Sequence, residues 1–233
     1  MGVFAIIPAR GGSKRIPRKN IKTFLGKPII SYSIEKAISS QLFDKVIVST
    51  DDDEIAKIAM RYGAEVPFVR PANLSDDYTG SSKVVAHSLN WMQQQGLRVD
   101  ALCCIYATAP FIRSNDLCIA YDILKSNKWD FVFTATEFDY PVQRSFRILK
   151  NGSMEMMFPE NYAKRSQDLE VYYHDVGQFY WGKPESWLEK KIVFSEKSTV
   201  IQIPSYRAVD IDSENDWKRA ELLYRLLEKE GEI

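Results

Sequence analysis

Four short runs, almost wholly apolar, constrain this chain more than anything else in it. They are VFAII at residues 3–7, KVIVST at 45–50, ALCCIYA at 101–107 and FVFTAT at 131–136. Runs of this length without polar alternation read as strands buried on both faces. Helical spacing lies between them, over residues 29–38, 52–62, 81–95 and 114–126. The second of these carries an apolar stripe at Ile55, Ile58 and Ala59 and stops at Gly63; the third stops at Gly96. A further short strand is expected over 64–69, AEVPFV. Strands alternating with helices predict an α/β fold, a mostly parallel, doubly wound sheet with helices on both faces. Such sheets bind ligands beyond the carboxyl ends of their strands.

The pattern breaks after residue 139. From about residue 140 to 173, the short extended pieces SFRILK and SMEMMF flank Asn151-Gly152, a strong hairpin signal. Three regions follow: an α/β core over 1–139, an inserted hairpin region over 140–175 for dimerisation or substrate contact, and a return to the core over 176–233. Strands resume at 178–182 and 199–204. The last element is an amphipathic helix over 214–229 with Ser213 as its N-cap.

Lys plus Arg and Asp plus Glu are equal at 31 each, so a bulk polyanion such as nucleic acid is not the expected partner. No apolar run reaches the roughly 18 residues of a membrane span. The N-terminal apolar stretch precedes its basic residues, the reverse of a signal peptide. Three cysteines, Cys103, Cys104 and Cys118, suit a reducing cytoplasm, and the first two read as inert core. Two histidines and no G-x-S-x-G leave no basis for hydrolase chemistry.

Against this neutral background the first loop is anomalous. Between Arg10 and Lys19 it carries five basic residues, Arg10, Lys14, Arg15, Arg18 and Lys19, with Gly11-Gly12-Ser13 among them. It matches neither G-x-x-x-x-G-K-[ST] nor G-x-G-x-x-G. Cations and free backbone N–H groups at a strand end match a triphosphate and its departing pyrophosphate. The other reading is a solvated basic loop. Late in the chain, Asp210 and Asp212 form D-I-D at the expected end of a strand. Residues two apart share a face there, and two carboxylates can hold a hard cation such as Mg²⁺. They also suit the N-terminus of the following helix.

IPARGGSKRIPRKN resembles the signature of the cytidylyltransferases that activate nine-carbon acidic sugars of the sialic acid type. The resemblance continues through VSTDDDEIAKIA, GAEVPFVRP, ATAPF, RSQD and VDIDSENDW and covers essentially the whole chain. YATAPF and YYHDVGQFYWG make it most similar to the pseudaminic acid branch. The resemblance implies a nucleotide-diphospho-sugar transferase type of sheet and a homodimer. It implies that CTP is bound by Ala9, Arg10, Gly11, Ser13, Lys19, Asn20, Arg70 and Ser81. In this picture Arg10 and Lys19 hold the phosphates, and Asn20 and the backbone at Ala9 reach ribose and base. Asp210 and Asp212 hold Mg²⁺, and Arg10, Lys19 and Asp212 carry the chemistry.

For the sugar the resemblance implies Tyr106, Arg165, Gln167, His174 and Gln178, with Arg165 reaching across from a partner subunit. Tyr106 stands where sialic acid enzymes carry glutamine, which points away from N-acetylneuraminate. Asp76 and Asp77 receive no role, His87 a structural one, and Phe179, Tyr180 and Trp181 a place in core and wall. The implied reaction is attack of the sugar's anomeric hydroxyl on the α-phosphate of CTP. N-acetylneuraminate or a legionaminate are the alternative acceptors. A non-catalytic nucleotide-binding subunit is the alternative of another class, and a dehydrogenase is disfavoured by the missing fingerprint.

Overall fold

The computed structural model describes residues 2–233. In chain order the elements are β1 (Val3–Pro8), β2 (Thr23–Phe24), β3 (Lys27–Pro28), α1 (Ile29–Ser39), β4 (Lys45–Ser49), α2 (Asp53–Arg61), α3 (Ser81–Gln94), β5 (Ala101–Ile105), α4 (Ser114–Lys125) and β6 (Phe131–Glu137). There follow β7 (Phe146–Ile148), β8 (Met154–Met156), β9 (Tyr173–Gly182), α5 (Pro184–Leu188), β10 (Ser198–Gln202) and α6 (Glu214–Lys229).

The main sheet has the order β10-β6-β9-β5-β1-β4. β1 pairs in parallel with β4 and β5, and β10 with β6. β9 lies between β5 and β6 and runs antiparallel to both. The crossover from β5 through α4 to β6 skips one position, and β9 returns from the insertion to fill it. Its first residues, 173–175, already belong to the sheet, inside the stretch expected to be insertion. Residues 64–69 are not a strand. Their backbone pairs with the sheet edge at the isolated bridges Ile47↔Glu65 and Thr50↔Val69, because Pro67 breaks the run.

Alternation along β1 sends Val3, Ala5 and Ile7 to one face and Phe4 and Ile6 to the other. The first face is covered by α1, α2 and α4 through residues such as Ile34, Ile55 and Leu117, and the second by α3 and α5 through Leu89, Met92 and Trp187. A third apolar cluster decides where the chemistry sits. It joins Ile16 of the first loop to Val209, Ile211 and the α6 residues Trp217 and Tyr224, around Phe24. Burying each such side chain stabilises by about 1.5–3 kcal/mol. Their packing brings the first loop against the D-I-D segment, 192 residues away in the chain at the Lys19–Ile211 contact.

β7 and β8 form the hairpin that Asn151-Gly152 suggests. Gly152 takes φ +83° and its N–H closes a turn onto the Leu149 carbonyl, so the connection is a three-residue loop with a left-handed glycine. The hairpin is exposed on nearly every side chain.

Candidate functional site

Three stretches leave the carboxyl ends of adjacent parallel strands: the first loop after β1, residues 50–70 after β4, and residues 106–108 after β5. Between them and the start of α3 lies a cavity of about 230 Å³. Arg10, Ser13, Lys19, Asn20, Arg70 and Ser81, expected to serve one ligand, all line it, and Tyr106 joins them.

Local bonds set the loop's shape. The Asn20 amide donates to the Arg10 carbonyl at 2.9 Å and ties the loop's ends together. Gly11 donates its N–H to Asp51 at 3.0 Å. A Cβ on Gly11 would lie 2.8 Å from an Asp52 carboxylate oxygen and 3.1 Å from its Cβ, so a larger residue there would press on the Asp52 side chain. Arg18 takes a left-handed backbone, φ 55°, and directs its guanidinium at Asp52 and Glu54. The Arg18 hydrogen bond, partly opposed by burial, holds the Asp52 carboxyl down at about 2. Asp52 at the same time caps α2, accepting from the Glu54 and Ile55 N–H groups.

The remaining loop cations face carboxylates that the linear pattern did not assign to them. Asp77 receives both Arg10 and Lys14. Asp212 receives Arg15 at 2.8 Å and Lys19 at 3.2 Å, and Lys19 also donates to the Ile211 carbonyl at 2.7 Å. The basic loop is therefore neither bare nor simply solvated.

Arg70 is only 4% exposed. Its Nε donates to Ser75 at 3.2 Å, and its nearest carboxylate, on Asp51, stands 3.5 Å away. The Asp51 oxygen faces Nη2, which forms no hydrogen bond among the described residues, so the ion pair is a loose one. Burial accordingly lowers its pKa. A buried cation on a cavity wall, held only loosely by one carboxylate, suits an anion that can take that partner's place. The N-terminus of α3 opens beside it, with Gly80 as N-cap and no side-chain cap.

The D-I-D segment is not the end of a strand. β10 ends at Gln202, a 3₁₀ turn covers Ser205–Arg207, and the extended residues after it send Val209 and Ile211 inward and leave Asp210 exposed and Asp212 half-buried. Although Asp210 is open to solvent on one side, the protein packed around its carboxyl excludes part of its hydration, and this, then the charge of Asp212, raises its pKa. Two carboxylates two residues apart on an extended segment share a side and suit a shared cation. No cluster of three or more potential ligand side chains occurs among the described residues, and Mg²⁺ in nucleotide sites ordinarily takes one or two carboxylates with phosphate and water oxygens.

Other expected residues fall elsewhere. Ala9 is fully buried, its N–H on the Ser49 carbonyl. Arg165 and Gln167 lie on an exposed 3₁₀ turn, where Arg165 pairs with Asp168. His174 is exposed on β9 beside Phe138. Gln178 is 2% exposed, and its amide donates to the Arg207 carbonyl at 2.8 Å, so it braces the 205–207 turn instead of facing the cavity. Thr79 and Thr108 line the cavity without having been singled out. Thr108 lies within the quoted ATAPF, but nothing in its spacing marks it.

The family model described as Cytidylyltransferase matches residues 4–180. The pseudaminic acid cytidylyltransferase of Campylobacter jejuni subsp. jejuni serotype O:2 is 49% identical over 221 residues, covering 95% of both chains. The CMP-N,N'-diacetyllegionaminic acid synthase of Legionella pneumophila is 30% identical and covers 97% of both. Among solved structures, a CMP:2-keto-3-deoxy-manno-octonic acid synthetase complexed with CTP superposes with a TM-score of 0.69 at 15% identity, covering 97% of this chain and 99% of the other. That last likeness is one of fold.

Proposed function

The chain belongs to the cytidylyltransferase family, and on that premise we propose that it transfers CMP from CTP to the anomeric hydroxyl of a nine-carbon acidic sugar, pseudaminic acid, with release of pyrophosphate. The observation that carries this reading is the single cavity that gathers Arg10, Ser13, Lys19, Asn20, Arg70 and Ser81 beyond the sheet's carboxyl edge. Cations from a glycine-bearing loop, a buried arginine and a helix N-terminus together fit a triphosphate.

The chain's own residues act mainly by position and charge. Arg10 and Lys19 turn from Asp77 and Asp212 onto the triphosphate, and the buried Arg70 adds a charge that Asp51 holds only loosely. Once turned, these cations stabilise the charge that gathers on pyrophosphate as the α–β bond breaks. The sugar hydroxyl is held in line with the α-phosphorus, and no covalent intermediate on the protein is needed. Asp210 and Asp212 are the residues that would hold Mg²⁺. Bound there, the ion would neutralise phosphate oxygens and lower the pKa of the attacking hydroxyl.

The hairpin supports a homodimer. Phe146, Ile148, Met154, Met157 and Tyr162 are each more than half exposed there, an apolar surface of the kind that marks an interface. A second copy seated on it is the route by which Arg165 reaches a sugar carboxylate. No helix among the described residues is long and apolar enough to cross a membrane, and three free cysteines fit a cytoplasmic enzyme. The test is pyrophosphate release with CTP and Mg²⁺, offering pseudaminate, N,N'-diacetyllegionaminate and N-acetylneuraminate in parallel. Release with pseudaminate foremost supports the reading; N-acetylneuraminate foremost keeps the chemistry and overturns the acceptor.

A further inference from the structure

A second cavity, of about 220 Å³, lies behind Tyr106 and shares Tyr106 and Ser81 with the first. Its other walls are polar at Ser82 and Asp175 and aromatic or apolar at Tyr180, Trp187, Val193 and Phe194. The volume is several times the roughly 30 Å³ share of one water, so it admits a substituent of a ligand.

An irregularity in β9 builds this cavity. Tyr180 pairs with Phe133, but the next pairing is Asp175 with Ala135. Residues 176–179 therefore stand opposite Thr134 alone, and Gly177 among them takes φ +64°. A Cβ on Gly177 would touch the Tyr106 ring at 3.6 Å. In a regular strand, residues five apart point to opposite faces. Here the bulge brings them together, and the Tyr180 hydroxyl donates to Asp175 Oδ2 at 2.5 Å. The arrangement has a cost, since the buried Thr134 hydroxyl is left without a partner among the described residues. Bulges of this kind re-aim side chains beside active sites.

The electrostatics narrow the ligand. Burial raises the Tyr180 and Tyr106 phenols, which stay protonated, so Tyr180 serves Asp175 as a donor. Asp175 is exposed, and its Oδ1 accepts no hydrogen bond among the described residues. A carboxylate repels the acid group of an acidic sugar, so Asp175 meets some other, donating part of it. A bare hydroxyl leaves the apolar wall of Trp187 and Val193 unused, and an ammonium loses hydration against it. A secondary amide supplies both an N–H and an acyl methyl. One relative is named for an N,N'-diacetylated sugar.

We infer that Asp175, held by Tyr180, determines which acceptor is used by accepting a hydrogen bond from the N–H of an acylamido substituent that a diacylated sugar carries and N-acetylneuraminate, with its single acylamido group, lacks. The inference rests on the proposed transfer to an acidic sugar and names the contact that would select it. It predicts the behaviour of Asp175→Asn closely. Tyr180 claims the single amide oxygen, and the remaining NH₂ then confronts another donor.

Pyrophosphate release is measured for the wild-type chain, Asp175→Asn and Tyr180→Phe, at saturating CTP, with the same three sugars. With the best diacylated sugar, Asp175→Asn lowers kcat/KM roughly tenfold to a hundredfold, through KM. The KM for CTP stays within about twofold, and preference over N-acetylneuraminate shrinks by a similar factor. Tyr180→Phe moves the sugar KM the same way by less. A sugar KM unchanged in Asp175→Asn overturns the inference and leaves the proposed function standing. A rise in the CTP KM matching that for sugar means a structural role and also overturns it. Silence of the wild-type chain with all three sugars overturns both.

Discussion

Replacing Asp52 by Ala tests the anchoring of the first loop most directly. The Asp52 carboxylate accepts from the Glu54 N–H at 3.0 Å and the Ile55 N–H at 2.9 Å, and it receives the Arg18 guanidinium. Loss of an N-cap costs about 0.5–2 kcal/mol. The Arg18 pair, with Arg18 39% exposed, contributes only about 0.2–1 kcal/mol after solvent screening. Together the expected destabilisation is about 2 kcal/mol, or about 4–8 °C in Tm for a chain of this length. Asp52→Asn keeps a capping oxygen and loses only the charge, so it should cost less than half as much. The Asp52 carboxyl is depressed from 3.8 to about 2 in the folded chain. Its charge-dependent contribution is therefore complete above pH 3.8 and lost as pH falls through about 2, and the gap between wild type and Asp52→Asn should narrow only below 3.8. Thermal and urea unfolding at pH 7, with a short series toward acid, measures all of this, and CTP titration of Asp52→Ala should show weaker binding as the loop loosens. An Asn variant as unstable as the Ala variant would refute the division between cap and charge. A Tm unchanged in both would refute the anchoring itself.

Three further outcomes are expected. Asp212→Asn should lower pyrophosphate release by about a hundredfold or more while CTP affinity changes only a few-fold; equal losses would favour a nucleotide-binding subunit. Arg70→Met should weaken CTP binding about tenfold to a hundredfold by calorimetry, and unchanged affinity with altered stability would make Arg70 a structural group. Ile148→Lys, at a side chain 76% exposed on the hairpin, should shift the protein from dimer to monomer in light scattering; a wild-type chain that is monomeric at micromolar concentration contradicts the dimer.

The fold was legible where period and burial agree. The apolar runs at β1, β4, β5 and β6 are strands because both sheet faces are covered, and Asn151-Gly152 does turn a hairpin. Residues 64–69 have the right composition for a strand, but Pro67 and an edge position leave two bridges. The direction of β9 was not legible, since side-chain alternation is the same for parallel and antiparallel pairing. Its bulge was not legible either, and so the contact of Asp175 with Tyr180 was not. Gln178 was read as facing a ligand because it stands beside residues that resemble a binding segment. The bulge turns it inward onto the Arg207 carbonyl.

The five basic residues of the first loop are the part of the site most open to misreading from sequence. Linear spacing shows cations but not what they face, and the carboxylates of Asp52, Glu54, Asp77 and Asp212 neutralise them. These partners divide the loop by task. Asp52 both caps a helix and holds Arg18, so that pair anchors the loop and is spent before any ligand arrives. Asp77 belongs to an exposed turn before α3, and Asp212 to the D-I-D pair, so their cations can exchange a carboxylate for a phosphate. A zero net charge is thus compatible with a triphosphate site. The compensating charges are built into the site, and nucleotide binding exchanges one set of ion pairs for another instead of creating charge contacts in empty water.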